Sequence, residues 1–217
     1  PLADRAVFSY RFAWDDASSK IFGESSWRDY RARTKELAQE NEFVVVTDIA
    51  DFYPRIYHHR LENALLRLVD VGDIPRRLMR FLQVCSSNDS YGLPVGGPAS
   101  RLLAELALVD TDQHLVSRGI SFCRYADDYT IFARTREEAY RHLVFLADKL
   151  FNEGLALQKR KTKILSRDEF LESVGGLDPA EEVATGQSDE DKLLSISVRY
   201  DPYSPTASED YENLTAA

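Results

Sequence analysis

The chain has 217 residues, 44% hydrophobic and 29% charged, with a formal net charge of −9. That composition fits a globular protein with one sizeable core, or one domain plus an appendage, and it excludes a chain basic throughout. No run approaches the length of apolar residues needed for a transmembrane helix. The opening Pro1-Leu2-Ala3-Asp4 reads as neither a signal peptide nor a transit segment, and its lack of Met suggests a fragment. Cys85 and Cys123 have no metal-ligand spacing and read as buried thiols in a reducing compartment.

The first expected element is a polar helix over Glu24 to Glu40, with Trp27, Tyr30 and Leu37 on its buried side. Phe43 to Thr47 is rich in β-branched residues and too short for a helix, so it reads as a fully buried strand ending at Asp48. Pro54 opens a helix with Ile56, Leu61, Leu65, Leu68 and Val69 at helical period, ending near Gly72. A second short helix runs from Ile74 to Val84. Ser86 to Gly97 is a loop, and a long helix follows from Pro98 to about Arg118, with Leu102, Leu103, Leu106, Val109 and Leu115 inside. Ile120 to Tyr125 and Tyr129 to Ala133 read as hairpin strands around the tip Ala126-Asp127-Asp128. Thr135 and Glu138 form a capping-box pattern for a helix to about Asn152. Leu155 to Leu157 and Thr162 to Leu165 are expected as short strands, with an acidic linker after them and a further helix over Tyr203 to Glu212.

From Phe43 to Leu165 this order is a split β-α-β-β-α-β pattern, the ferredoxin-like layout of an antiparallel sheet backed by helices, in the α+β class. That layout sets the end of the first strand beside the central hairpin, so Asp48 is expected near Asp127 and Asp128. Adjacent carboxylates raise each other's pKa unless a cation neutralises them. Three at one sheet edge suit a pair of Mg²⁺ ions roughly 3.5–4 Å apart and phosphoryl-transfer chemistry. The plainer reading takes Asp48 as a strand end and Asp127-Asp128 as turn residues.

Charge is unevenly spread. Lys159, Arg160, Lys161, Lys163 and Arg167 lie together without an acid, whereas the segment from Asp168 onward is acidic, with Lys192 and Arg199 its only bases. Such a basic strip can face a polyanion within an acidic molecule. His58 and His59 are adjacent, point to different sides of a helix, and read as structural or surface residues. Trp14 and Trp27 read as packing aromatics.

Four segments in order resemble the reverse transcriptase palm. Thr47 to Ile56 resembles its first catalytic motif and Gly92 to Ser100 its second. Tyr125-Ala126-Asp127-Asp128 resembles the metal box, and Lys161-Thr162-Lys163-Ile164 the fourth motif. The resemblance implies a palm with partial helical fingers and no thumb: residues 1–42 as fingers, 43–170 as the catalytic palm, and 171–217 as an acidic linker opening a further region. It implies Asp48, Asp127 and Asp128 as catalytic metal ligands, joined by the Ile49 backbone carbonyl, with Mg²⁺ or alternatively Mn²⁺. It places Asp51, Phe52, Tyr53, Val95, Gly96, Lys161, Lys163 and Arg11 around the nucleotide. Tyr53 stands where a bulky side chain rejects a ribose 2′-hydroxyl, which implies dNTP substrates.

Val95 replaces the Gln common before the motif's glycine, and Ser100-Arg101 replaces the common Ser-Pro. Pro94-Val95-Gly96, Ser100 to Glu105 and Tyr53 to His59 look most like bacterial defence-associated, abortive-infection reverse transcriptases. The implied function is RNA-directed DNA synthesis in the cytoplasm, in antiphage defence. Its partners would be an RNA template, a DNA product and dNTPs, with an associated non-coding RNA or a protein primer, and the oligomeric state left open. The alternatives are a palm-type nucleotide cyclase or primase-like polymerase, or a CRISPR-, retron- or intron-associated reverse transcriptase.

Overall fold

The β-branched run at Phe43 is the centre of a sheet. A computed structural model describes residues 6–10, 12–15, 20–22, 27–68, 73–86 and 90–175. Strands β1 (Phe12–Asp15) and β2 (Lys20–Phe22), which the sequence did not suggest, pair antiparallel. Helix α1 (Trp27–Gln39) leads into β3 (Phe43–Asp48). Helices α2 (Phe52–Arg55), α3 (His58–Leu68), α4 (Ile74–Cys85) and α5 (Pro98–Ser117) follow. Then come β4 (Ser121–Tyr125), β5 (Asp128–Ala133), α6 (Arg136–Asn152), β6 (Lys163–Ser166) and α7 (Arg167–Gly175).

The sheet order is β4-β5-β3-β6, with every neighbouring pair antiparallel. β3 is central and buried on both faces, as its unbroken apolar run requires. Successive side chains of a strand point to opposite faces, so one run feeds two cores. Val45 joins Ile131, Phe122, Leu108, Leu115, Leu146 and Leu150 in one core. Val44 joins Phe132, Cys123, Tyr30, Leu37 and Phe170 in the other, beneath α1 and α7.

Several boundaries differ from the sequence reading. The helix expected from Pro54 is two, because Ile56 takes an extended conformation (φ −62°, ψ 118°), with its side chain buried in the larger core. On α5 the buried residues are Ser100, Leu103, Ala104, Leu108, Thr111, Asp112 and Leu115, whereas Leu102 and Val109 are exposed. Gly119 ends α5 as expected: its N–H donates to the Val116 carbonyl and that of Ile120 to Leu115, the Schellman pairing. Thr135 caps α6, accepting from the Glu138 N–H at 3.1 Å, while the Glu138 carboxylate accepts from Arg134. Of the strand expected at Leu155 to Leu157, only a bridge between Leu157 and Ile49 forms.

α7 occupies the start of the expected linker. Its Phe170 is buried against the α1 side of the sheet, and apolar burial at Phe170, Leu171 and Val174 makes it part of the core. Trp27 is exposed rather than buried, though its ring stacks on Tyr30 with centroids 5.0 Å apart. Cys85 is exposed as well, because it ends α4 on the solvent side, and only Cys123 is buried. The Trp14 side chain and the Tyr203 to Glu212 segment lie outside the described residues. Among the described residues no helix is long and apolar enough to cross a membrane.

Candidate active site

The β3–β5 register sets Asp48 directly opposite Asp128, and the β4–β5 register sets Tyr125 opposite Asp128. Ala126 and Asp127 are therefore the turn between β4 and β5. Ala126 has a positive φ of 53°, a conformation costly for a residue with a Cβ. The turn is tied to β3 by the Ile49 N–H, which donates to the Asp127 carbonyl at 3.3 Å. On the far side of β3 the Gln158 N–H donates to the Asp48 carbonyl at 2.7 Å and the Ala50 N–H to Ala156 at 2.8 Å. The end of β3 is thus held on both sides.

Asp48 is only 5% exposed. Its Oδ2 accepts from the Lys161 ammonium, and its Oδ1 is buried without a hydrogen-bond partner. Asp127 lies against it. Burial, then the neighbouring Asp48 carboxylate, and last the charge of Asp128 push the Asp127 carboxyl up to about 7. Hydrogen bonding to Asp48 raises the Lys161 pKa, with the charges of Asp48, Asp128 and Asp127 adding to it. An orphaned carboxylate oxygen beside a carboxyl that resists ionisation fits a divalent cation, which would satisfy the first and permit the second. Among the described residues no group of three or more His, Cys, Asp or Glu side chains already converges to hold a metal ion. Asp48 and Asp127 come together, and Asp128 stands opposite by register.

The other expected residues lie at the start of α2, on the loop before α5 and on β6. Asp51 is exposed at φ 50° and pairs with Arg55 at 3.4 Å. Phe52 is buried; Tyr53 is half-buried against it, the ring centroids 5.5 Å apart. Val95 is exposed, and Gly96, at φ 103°, has no atom within 4 Å of where a Cβ would stand. Lys163 is exposed on β6, opposite Val46, and is not brought into the carboxylate group. Arg11 lies outside the described residues.

The loop from Ser90 to Leu93 is fastened to the Tyr53 segment. The Leu93 N–H donates to Tyr53, the Gly92 N–H to Ile56 and the His58 N–H to Ser90, each at 2.9 Å. Buried His58 donates its Nε2–H to the Gly92 carbonyl at 2.6 Å, so its structural reading holds. Tyr57 stacks on Tyr91 at 4.8 Å. At φ 97°, Gly92 leaves a would-be Cβ 3.5 Å from the Pro54 carbonyl, a path suited to glycine.

Sequence reasoning missed the buried ion cluster beneath the turn. Arg124, 1% exposed, donates through Nε and Nη2 to Asp112 and through Nη1 to the Ala126 carbonyl, and its Nη2 forms an ion pair with Glu105. The Tyr129 hydroxyl donates to Asp112 at 2.9 Å. Burial disfavours the Arg124 charge, but Asp112 and Glu105 outweigh it and hold its pKa well above the usual range. The available signal was charge at core positions: Arg124 in an apolar strand and Asp112 in the apolar stripe of α5.

The chain belongs to the reverse transcriptase (RNA-dependent DNA polymerase) family, whose model matches residues 9–197. Its curated relatives include two proteins of Escherichia coli. It is 28% identical to the Retron Ec86 reverse transcriptase over 134 residues, 56% of this chain and 38% of that protein. To the Retron Ec73 reverse transcriptase it is 28% identical over 104 residues, 42% of this chain and 33% of that protein. The chain thus spans well under half the length of either.

Proposed function

We propose that this chain is the ferredoxin-like palm, with partial fingers, of an RNA-directed DNA polymerase that adds dNTPs to a growing end. The observation that carries this reading is the meeting of Asp48 and Asp127, with Asp128 opposite, at one sheet edge in a member of this family. Asp48, Asp127 and Asp128 would hold the cations, with the Ile49 carbonyl beside them. When bound, Mg²⁺ (or Mn²⁺) lowers the pKa of the attacking hydroxyl and neutralises the leaving pyrophosphate.

The chain's own residues do the rest. The bonds at Gln158, Ala50 and Ile49 fix the carboxylates before substrate arrives. Lys161, already on Asp48, supplies a cation at the edge where triphosphate would lie, and Lys163 extends the basic strip. Tyr53, packed on buried Phe52, presents a rigid ring to the sugar and leaves no room for a 2′-hydroxyl. Asp51, Val95 and Gly96 line the nucleotide's other sides, and Arg11 would grip phosphate from the fingers.

The proposed division is fingers over 1–42 and palm over 43–170, with the palm's last helix, α7, running on to Gly175 before the further region. The proposed setting is cytoplasmic antiphage defence, with an RNA template that includes an associated non-coding RNA, or a protein primer. The segment resemblances at Tyr53 to His59, Pro94 to Gly96 and Ser100 to Glu105 support that setting. The test is Mg²⁺-dependent dNTP incorporation by the intact protein carrying this chain. Asp127→Asn, folded, abolishes it; unchanged incorporation, or a cyclic nucleotide as product, overturns the assignment.

A further inference from the structure

We infer that Ser9, Glu105, Asp112 and Arg124 form a buried brace that positions the Ala126-Asp127 turn for the reaction proposed above, on which this inference rests. Both peptide groups of Ala126 are held by it. The Arg124 Nη1 donates to the Ala126 carbonyl at 2.8 Å, and the Ala126 N–H donates to Ser9 Oγ at 2.8 Å. The two holds are one assembly, because the Ser9 hydroxyl donates to Glu105, and Glu105 pairs with Arg124 at 2.9 Å. Asp112 fixes the guanidinium from the other side, accepting from Nε at 3.0 Å and from Nη2 at 2.6 Å. Tyr129 fixes Asp112 in turn.

The links come from four parts of the fold. Ser9 lies in the N-terminal segment, whose backbone pairs with β4 through the Phe8 N–H to the Arg124 carbonyl and the Arg124 N–H to the Ala6 carbonyl. Glu105 and Asp112 come from α5, two turns apart, and Arg124 and Tyr129 from the two hairpin strands. Burying Arg124 and Asp112 and part-burying Glu105 to hold one turn is a poor way to gain stability, since apolar packing does as well. It is a good way to hold a left-handed alanine in place, and such strain persists only where its surroundings over-determine it. The next residue is Asp127, whose carboxyl lies against Asp48. A loosened Ala126 therefore moves a proposed metal ligand without touching it. These four are positioning residues, as are groups behind metal ligands generally.

The test compares Ser9→Ala, Ser9→Thr and Arg124→Lys in the intact protein. Four quantities are read: the thermal midpoint, metal-free amide exchange of the β4–β5 peptide, the kcat and KM for dNTP, and the Mg²⁺ concentration at half activity. Ser9→Ala removes both the acceptor for the Ala126 N–H and the donor to Glu105, and leaves the Arg124–Asp112 pair in place. We expect it to fold and to exchange about tenfold faster at the turn. Its half-saturating Mg²⁺ and its kcat should worsen by about tenfold, with KM for dNTP changed less than about twofold. Ser9→Thr keeps the hydroxyl and restores these values. Arg124→Lys keeps the charge without the fork and behaves like Ser9→Ala. A folded Ser9→Ala with wild-type turn exchange, kcat and Mg²⁺ requirement overturns the brace, as does a kcat loss that only tracks the folded fraction. If the wild type incorporates nothing, the polymerase reading fails, and turn exchange alone decides the brace.

Discussion

Asp48 stands directly opposite Asp128 at the end of the β3–β5 ladder, and the turn residue before Asp128 leans its carboxyl on Asp48. Like charges face each other where a sheet ordinarily pairs opposite or neutral residues. That arrangement makes the metal-free protein sensitive to pH. The Asp127 carboxyl, ordinarily near 3.8, is raised to about 7 by burial and then by Asp48. Between those values the folded chain keeps a proton that the unfolded chain has lost. Stability without metal therefore falls as pH rises from about 4 to about 7, by on the order of 1–3 kcal/mol, and is flat above. Urea unfolding in chelator at pH 5 and pH 8 measures this. Asp127→Asn should flatten the difference and Mg²⁺ should recover stability at pH 8; equal wild-type midpoints at both pH values would contradict it.

Tyr53 gives a selectivity prediction. Its carbonyl is pinned by Leu93 and its ring by Phe52, so the side chain is presented with little freedom. Replacing the ring by Ala should raise ribonucleotide use relative to dNTP by about tenfold to a hundredfold, while Tyr53→Phe keeps the wild-type ratio. Competition between the two nucleotides in one incorporation assay reads the ratio directly, and an unmoved ratio in Tyr53→Ala removes this residue from the sugar site.

The two thiols should differ sharply. Cys123 is fully buried, and burial pushes its thiol up to about 12, whereas Cys85 is exposed. At pH 8 a thiol reagent should modify Cys85 rapidly and Cys123 only after unfolding. Mass spectrometry of the native protein checks this; rapid native labelling of Cys123 would mean that the core beneath α1 is open.

Thr135 caps α6, the helix that covers β3 and β5 on the larger core. Thr135→Ala should cost about 1 kcal/mol, or a fall of roughly 2–4 °C in the melting midpoint, and Thr135→Asp should restore most of it. No effect in calorimetry would mean that the cap is frayed in solution.

Much of the fold was legible because local chemistry and tertiary context agreed. The Phe43 run, the Thr135 cap, the Gly119 stop and the Pro98 start each carry a signal within a few residues. The break at Ile56 was not legible, since its apolar period suits a continuous helix, whereas in the fold Ile56 is extended and joins the larger core. Nor was α7, whose acidic start resembles a linker until Phe170 finds the α1 side of the sheet. Lys161 was expected near phosphates; its contact with Asp48 depends on the chain returning beside β3.

By itself, the sequence determined most of the elements from β3 to β6, singled out the candidate carboxylates, and pointed to the family to which the chain belongs. Those follow from residue type and spacing, which local sterics and hydrophobic period translate directly into elements. Only the tertiary structure decided how the carboxylates are held. Ser9, helix α5 with Glu105 and Asp112, and Arg124 on β4 are separate stretches of the chain, and the apolar settings of Arg124 and Asp112 signal burial without saying which partners they find. A charge buried among apolar neighbours is stable only when its partners arrive from other elements, so which partners arrive is a property of the fold and of no single stretch of sequence.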